Sequence, residues 1–151
     1  MLSNLIRRLR LSSRKKGGID VEGIMAKADA LMKSKMLFLD RDLTIRQLCG
    51  EIGTNRTYLS FSLSKSGVNF NDYVNTYRKE YFYRLLCDPS NRKTILIELA
   101  EQSGFNSLKT VNRYIRNDFG FTASVLRKQI YTKNLSIAFS DSGRAKTATL
   151  S

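Results

Sequence analysis

A short basic segment of the chain carries the side chains with the clearest chemistry. From Ser107 to Asn117 the apolar residues Val111 and Ile115 recur at helical spacing, which predicts a helix that buries this side. The opposite side then presents a polar stripe at i, i+3, i+4 and i+7, made of Lys109, Asn112, Arg113 and Arg116. An arginine guanidinium matches the two acceptors of guanine, and an asparagine amide suits adenine. The stripe therefore predicts base contacts by Lys109 and Arg113, and base or phosphate contacts by Asn112 and Arg116. The alternative is a solvated helix face.

The segment before this helix occurs in a second, similar copy. The two copies are LTIRQLCGEIGTNRTYLS (43–60) and ILIELAEQSGFNSLKTVNRYI (95–115), and the matched positions lie 51 residues apart. In each copy a small residue, Cys49 or Ala100, is followed four positions later by Gly53 or Gly104. The small side chain lets a second helix approach closely, and glycine accepts the positive φ that ends the first helix. The pattern predicts two helix-turn-helix units.

The outward face of the first copy is less polar than that of the second. With Leu59 and Leu63 inward, the candidates for base contacts are Thr57, Ser60 and Phe61. Hydroxyl groups discriminate bases weakly, and a phenyl ring contacts only a thymine methyl or a sugar. Alternatively, Phe61 fills a gap against the following long helix. Backbone amides and hydroxyls at helix starts bind phosphate, so the predicted phosphate contacts are Arg56, Lys65, Thr44, Thr94 and Arg116.

Helical periodicity accounts for the rest of the central chain. The predicted helices span 21–37, 45–52, 56–65, 69–86, 107–117 and 122–130, with one further helix after Thr94. Thr44, Asn69 and Thr94 are the predicted caps of the helices that they precede. In the last helix, Val125 and Leu126 are predicted to point inward. The long helix has an apolar stripe that we expect to be core, made of Phe70, Tyr73, Val74, Tyr77, Tyr81 and Leu85. No strand is predicted, so the fold class is all-α.

The expected domain organisation has three parts. Residues 1–18 form a basic flexible arm or linker remnant, for which a short amphipathic helix on a membrane surface is the less favoured alternative. Residues 19–131 form the folded domain, with the first helix-turn-helix unit over about 44–65, the linker helix over about 69–87 and the second unit over about 94–117. Residues 132–151 are rich in Ser, Thr and Ala, which predicts a disordered tail.

Composition favours a polyanionic partner and disfavours catalysis. The 151 residues include 26 Lys and Arg against 13 Asp and Glu, a net charge of +13, and there is no histidine. No nucleophile motif, phosphate-binding loop or carboxylate cluster is evident, so we expect neither an enzyme nor a cofactor, metal or small-molecule site. Cys49 and Cys87 are 38 positions apart without metal-type spacing, which predicts buried free thiols. No apolar run has the length of a membrane span, and we expect a cytoplasmic protein.

The segments FNDYVNTYRKEYFYRLL and LAEQSGFNSLKTVNRYIRNDFG give the chain a family resemblance. From about Met36 to Lys128 it resembles the DNA-binding domain of the arabinose-regulator (AraC-type) family of bacterial transcription regulators. The resemblance implies two helix-turn-helix subdomains joined by a long helix, with the two recognition helices in successive major grooves. The chain departs from the family pattern at Ala123, where proline is usual, at Ile115, where an aromatic residue is usual, and at Phe61, where a basic residue is often found.

The expected function is therefore a sequence-specific transcription regulator, an activator by resemblance, with double-stranded DNA as partner and RNA polymerase as a further partner. One alternative is the output fragment of a larger sensor regulator. Another is a protein-interaction module that keeps the fold without reading DNA. The nearly neutral outward stripe of the first copy favours the last alternative.

Overall fold

The structure is a computed structural model that describes residues 18–133, 135–139 and 145–149. These residues form seven α-helices and one β-hairpin, which confirms the predicted all-α fold class. The chain divides into two compact units, Met1–Asn75 and Thr76–Ser151. The basic arm predicted for 1–18 lies, except for Gly18, outside the described residues.

The first unit contains helices α1 (Val21–Lys35), α2 (Ile45–Ile52) and α3 (Arg56–Lys65) and the start of α4 (Phe70–Cys87). Helix α1 packs against α2 and α3. It ends two residues before the predicted Leu37 because Met36 adopts a left-handed conformation with φ of 50°, and a 3₁₀ turn follows over Leu37–Leu39.

Local capping chemistry sets the limits of α2 and α3. The Thr44 hydroxyl accepts from the backbone N–H of Gln47 at 3.2 Å, and the Gln47 side chain accepts from the Thr44 N–H at 2.7 Å. This reciprocal capping box confirms the cap predicted at Thr44. Gly53 ends α2 with φ of 78°, and the Asn55 side chain caps α3 by accepting from the Tyr58 N–H at 2.9 Å.

The first unit also buries a polar pair that the sequence pattern did not predict. Asp29 of α1 is 2% exposed, and one of its carboxylate oxygens accepts from the Tyr73 hydroxyl at 2.7 Å. A buried carboxylate is costly unless hydrogen bonds compensate its lost hydration. The buried apolar and aromatic residues of this unit are Met25, Ala28, Met32, Phe38, Leu48, Cys49, Ile52, Leu59, Leu63, Tyr73 and Val74.

The second unit contains the rest of α4, α5 (Leu96–Gln102), α6 (Leu108–Phe119), α7 (Ala123–Lys133) and strands β1 (Leu135–Phe139) and β2 (Ala145–Thr149). Helix α6 packs against α5 and α7. Their apolar faces meet in one core cluster, made of Phe82, Tyr83, Leu86, Leu99, Ala100, Phe105, Val111, Ile115, Ala123, Leu126 and Ile130.

The buried face of α4 differs from its predicted stripe in the second unit. Tyr73, Val74 and Tyr77 are buried as predicted, but Tyr81 and Leu85 are only partly buried. The fully buried positions are instead Phe82, Tyr83 and Leu86. A single apolar stripe assumes that the same side of α4 is buried along its whole length. In each unit, however, the residues packed against α4 determine which side is buried.

Two local predictions in the second unit are also wrong. Helix α5 begins at Leu96 with Ile95 as its N-cap and no side-chain acceptor, so Thr94 stands one position too early to cap it. The Thr94 carbonyl instead accepts a hydrogen bond from the Arg127 guanidinium. In α7, Val125 is 42% exposed, and the buried side is formed by Ala123, Leu126 and Ile130.

The C-terminal residues form an antiparallel hairpin where disorder and no strand were predicted. Strands β1 and β2 pair from Leu135 with Thr149 to Phe139 with Ala145. In the sequence, Leu135, Ile137 and Phe139 alternate with Ser136 and Ala138, a period of two that is typical of a strand. Ile137 packs on the core cluster, β1 against α7 and β2 against α6. The rest of the predicted tail after Lys133 lies outside the described residues.

Both cysteines have free thiols, as predicted. Cys49 is buried and Cys87 is partly buried, and burial raises the pKa of each thiol. A raised pKa favours the protonated thiol over the thiolate, which is the nucleophilic form.

Candidate nucleic-acid interface

Helix α6 presents a basic face on one side and a buried apolar face on the other. Gly104 has φ of 84° in the turn before it, and the Ser107 hydroxyl caps its start by accepting from the Thr110 N–H at 3.3 Å. Val111 and Ile115 are fully buried. The three cationic side chains of the predicted stripe, Lys109, Arg113 and Arg116, are all exposed, so they are available to an external anion.

Asn112, the fourth member of the stripe, has an internal role that the sequence did not reveal. Its side chain is partly buried, and its amide oxygen accepts from the backbone N–H of Ala123 at 2.8 Å. The bond holds the first residue of α7 against α6, and a proline at position 123 would have no N–H to donate. Because a bidentate contact with adenine needs the same amide oxygen, this geometry disfavours base reading by Asn112.

Arg113 lies over an aromatic ring of its own helix. The centre of its guanidinium is 5.2 Å from the centroid of the Tyr114 ring, within the range of a cation–π interaction. The side chain nevertheless stays exposed. The guanidinium of Arg113 thus lies against a neighbouring ring in a residue that is exposed to solvent.

A buried polar network joins α6 to α4 within the second unit. One carboxylate oxygen of Asp118 accepts from the Tyr83 hydroxyl at 2.8 Å and lies 3.0 Å from the Lys79 ammonium. The side chains of Lys79 and Asp118 are only 10% and 7% exposed. Burial and the adjacent Asp118 carboxylate raise the pKa of Tyr83, so its hydroxyl stays protonated and donates.

The network connects the last turn of α6, which contains Asp118, with Lys79 and Tyr83 of α4. Removing one partner of a buried ion pair is strongly destabilising, so we expect this connection to be important for stability. Sequence reasoning missed it. Asp118 and Tyr83 are 35 positions apart, and no periodic signal connects them.

Helix α3, the counterpart of α6 in the repeat, presents a mostly neutral face. Thr57, Ser60 and Phe61 are exposed, and so is Arg56 at the start of the helix. Phe61 is 42% exposed with the Lys65 ammonium 5.3 Å from its ring centroid, so the alternative in which it fills a gap is not supported. Tyr58, one helical turn before Phe61, is 45% exposed and was not among the predicted contacts.

The two threonines predicted to contact phosphate are already engaged. The Thr44 hydroxyl accepts from Gln47 N–H and lies 2.8 Å from the Gln47 amide oxygen, to which it donates. The Thr94 hydroxyl is 3.5 Å from the Asn91 amide oxygen. Of the predicted phosphate contacts, the exposed cations Arg56, Lys65 and Arg116 therefore have the more suitable geometry.

Among the described residues, no three His, Cys, Asp or Glu side chains are grouped as metal ligands would be. None of the described helices combines the length and the apolar character that crossing a bilayer requires. Comparison of the chain with models of known protein families, with curated proteins and with solved structures found no match.

Proposed function

We propose that this chain is a sequence-specific double-stranded DNA-binding protein that regulates transcription, with α6 as its principal recognition helix. The observation that carries the proposal is the exposed basic face of α6, made of Lys109, Arg113 and Arg116. This face follows a glycine turn and stands on a helix whose opposite side is buried. An α-helix fits the major groove of B-DNA, where such side chains reach base edges and phosphates.

Within this proposal the three cations have different tasks. Arg113 presents a planar fork that suits the two acceptors of guanine, and Lys109, one turn earlier, contacts a neighbouring base edge. Arg116 lies a further turn along the helix and contacts phosphate, which sets the register without reading sequence. Asn112 supports the start of α7 through its bond to Ala123.

In the first unit, α3 makes a smaller contribution to base recognition. Thr57 and Ser60 offer hydroxyl groups, and Phe61 offers an apolar surface to a thymine methyl. Arg56 and Lys65 contact phosphate. The resemblance of the two repeats to the AraC-type pattern favours binding in two successive major grooves and action as an activator.

Selection from random duplexes at fixed ionic strength tests the proposal directly. We expect enrichment of a discrete sequence, and a footprint of two protected patches about 10 base pairs apart. A duplex of the same length and composition in scrambled order is the control. Equal affinity for the selected and scrambled duplexes across a salt series would show that only charge attraction operates, and would overturn sequence-specific binding.

A protein-interaction role for the first unit is the second candidate, and the exposed pair Tyr58 and Phe61 favours it. Exposed aromatic residues are enriched at protein interfaces. In this case Phe61→Ala weakens co-sedimentation with purified RNA polymerase and leaves affinity for the selected duplex unchanged. Ser60→Ala, on the same exposed face, is the matched control. Loss of DNA affinity in Phe61→Ala without loss of polymerase binding would contradict this role.

A further inference from the structure

Tyr114 of α6 occupies a position between two cations of different exposure. The guanidinium of Arg113 lies 5.2 Å from its ring centroid, and the ammonium of Lys79 lies 5.9 Å away. Arg113 is exposed, whereas Lys79 is 8% exposed. The ring of Tyr114 therefore connects a buried part of the second unit with the basic face of α6.

The hydroxyl group of Tyr114 does not explain its presence. Within the part of the chain that the structure describes, this hydroxyl is buried and has no hydrogen-bond partner. A buried hydroxyl without a partner is unfavourable, so phenylalanine would serve packing equally well or better. The contacts of Tyr114 with Arg113 and Lys79 are made by its aromatic ring.

We propose that Tyr114 is a positioning residue that holds the guanidinium of Arg113 ready for guanine recognition, an inference that rests on the DNA-reading role proposed for α6. A free arginine side chain samples many rotamers, and the loss of this freedom on binding opposes recognition. Stacking on the ring restricts the rotamers before DNA arrives, and the donors of the guanidinium remain exposed.

The ring itself lies against buried neighbours. Phe105, which is buried, lies with its ring centroid 6.1 Å from that of Tyr114. Lys79 is anchored by Asp118, which also accepts from Tyr83. A recognition group is accurately placed only when its supporting side chains are themselves locked. The buried network of the second unit thus continues through Tyr114 to the side chain that reads the base.

Affinity for the selected and scrambled duplexes, measured at one salt concentration, tests this role. Tyr114→Phe keeps the ring, and we expect the preference for the selected duplex to stay as in the parent protein. Tyr114→Leu removes the ring, and the preference falls about two- to fivefold, the range of an exposed cation–π contact. In an Arg113→Ala background Tyr114→Leu causes no further loss, because the two residues act through one contact.

A second measurement does not depend on DNA. In the free protein, ¹⁵N relaxation of the Arg113 Nε–H group reports the order of its side chain. We expect an ordered signal in the parent protein and in Tyr114→Phe, and a disordered one in Tyr114→Leu. Tyr114→Met, which keeps bulk without an aromatic face, replaces Tyr114→Leu if that variant does not fold, and is expected to behave in the same way.

The outcomes separate this inference from the proposed function. If the parent protein shows no preference for any duplex, the DNA-reading role fails. If it shows a preference that Arg113→Ala lowers, but the preference survives Tyr114→Leu or the losses of the two substitutions add, the positioning role of Tyr114 is overturned. An Arg113 Nε–H signal that is equally mobile with and without the ring also overturns it.

Discussion

The turns that precede helices α3 and α6 each contain a glycine with positive φ, but the two helices present different surfaces. Gly53 and Gly104 have φ of 78° and 84°, and each follows a buried small residue by four positions, Cys49 or Ala100. Beyond the turn, α3 exposes two aromatic rings and hydroxyl groups between the cations Arg56 and Lys65 at its two ends, whereas α6 exposes three cations along one face. The comparison teaches that a similar glycine turn precedes both helices, and that the outward residues of each helix decide what it can bind.

The units also differ in how they use a buried carboxylate. Asp118→Ala removes the group that contacts both Lys79 and Tyr83, and we expect a loss of about 3–5 kcal/mol in the free energy of unfolding. Tyr73→Phe, which removes the hydrogen bond to Asp29 in the first unit, is expected to cost less, about 1–3 kcal/mol. Urea denaturation followed by circular dichroism measures both. An equal or smaller loss for Asp118→Ala would contradict the structural importance of its network.

Arg113→Ala tests the difference between the two exposed faces. On the selected duplex we expect a loss of about 1–3 kcal/mol in binding free energy and relaxed preference at one base pair, because a bidentate guanine contact disappears. Thr57→Ala on α3 is expected to cost less, since one hydroxyl discriminates poorly. Gel-shift titration on duplexes with single substitutions measures the effect. Equal weakening on every duplex would instead make Arg113 a phosphate contact.

Gly53 and Gly50 of the first unit form a matched pair of substitution sites that tests the backbone conformation of the turn. Gly53→Ala places a side chain at φ of 78°, which we expect to destabilise the protein by about 1–2 kcal/mol. Gly50→Ala, in the exposed interior of α2, stabilises it by about 0.5–1 kcal/mol because alanine loses less backbone freedom on folding. A built Cβ meets no atom within 4 Å at either position, so backbone conformation is the variable. Thermal unfolding that shifts in the same direction for both variants would refute this account.

Asn112→Ala separates an internal role from base reading. We expect a loss of about 0.5–1.5 kcal/mol in stability, because the Ala123 N–H loses its acceptor, and no change in base preference. Chemical denaturation and duplex selection on the same variant measure the two properties. A changed preference at one base pair with unchanged stability would return Asn112 to the group of base readers.

Much of the fold follows from signals a few residues apart. The cap at Thr44 depends on Gln47, three positions later, and the end of α2 depends on Gly53 alone. The buried positions of α6 follow the helical period at Val111 and Ile115. Such local rules place the exposed cations of the candidate site without knowledge of any neighbour.

Several of the errors occur where a distant partner decides. Tyr81 and Leu85 fit the apolar stripe of α4, yet the second unit buries Phe82 and Tyr83 on another side. Asn112 has the residue type of a base reader, but its amide oxygen is taken by Ala123, eleven positions away. The strands at the C-terminus are held by Ile137 packing on the core cluster, in a segment whose composition predicts disorder.

The sequence by itself therefore determined the helices, their glycine turns and the basic character of one outward face, because these depend on backbone conformation and spacing within a few residues. Only the tertiary structure decided that Asp118 joins Lys79 and Tyr83, and that Tyr114 lies beneath Arg113 with Lys79 close to the same ring. The physical reason is that burial and ion pairing arise between residues that the chain brings together from far apart, and no local pattern encodes their meeting.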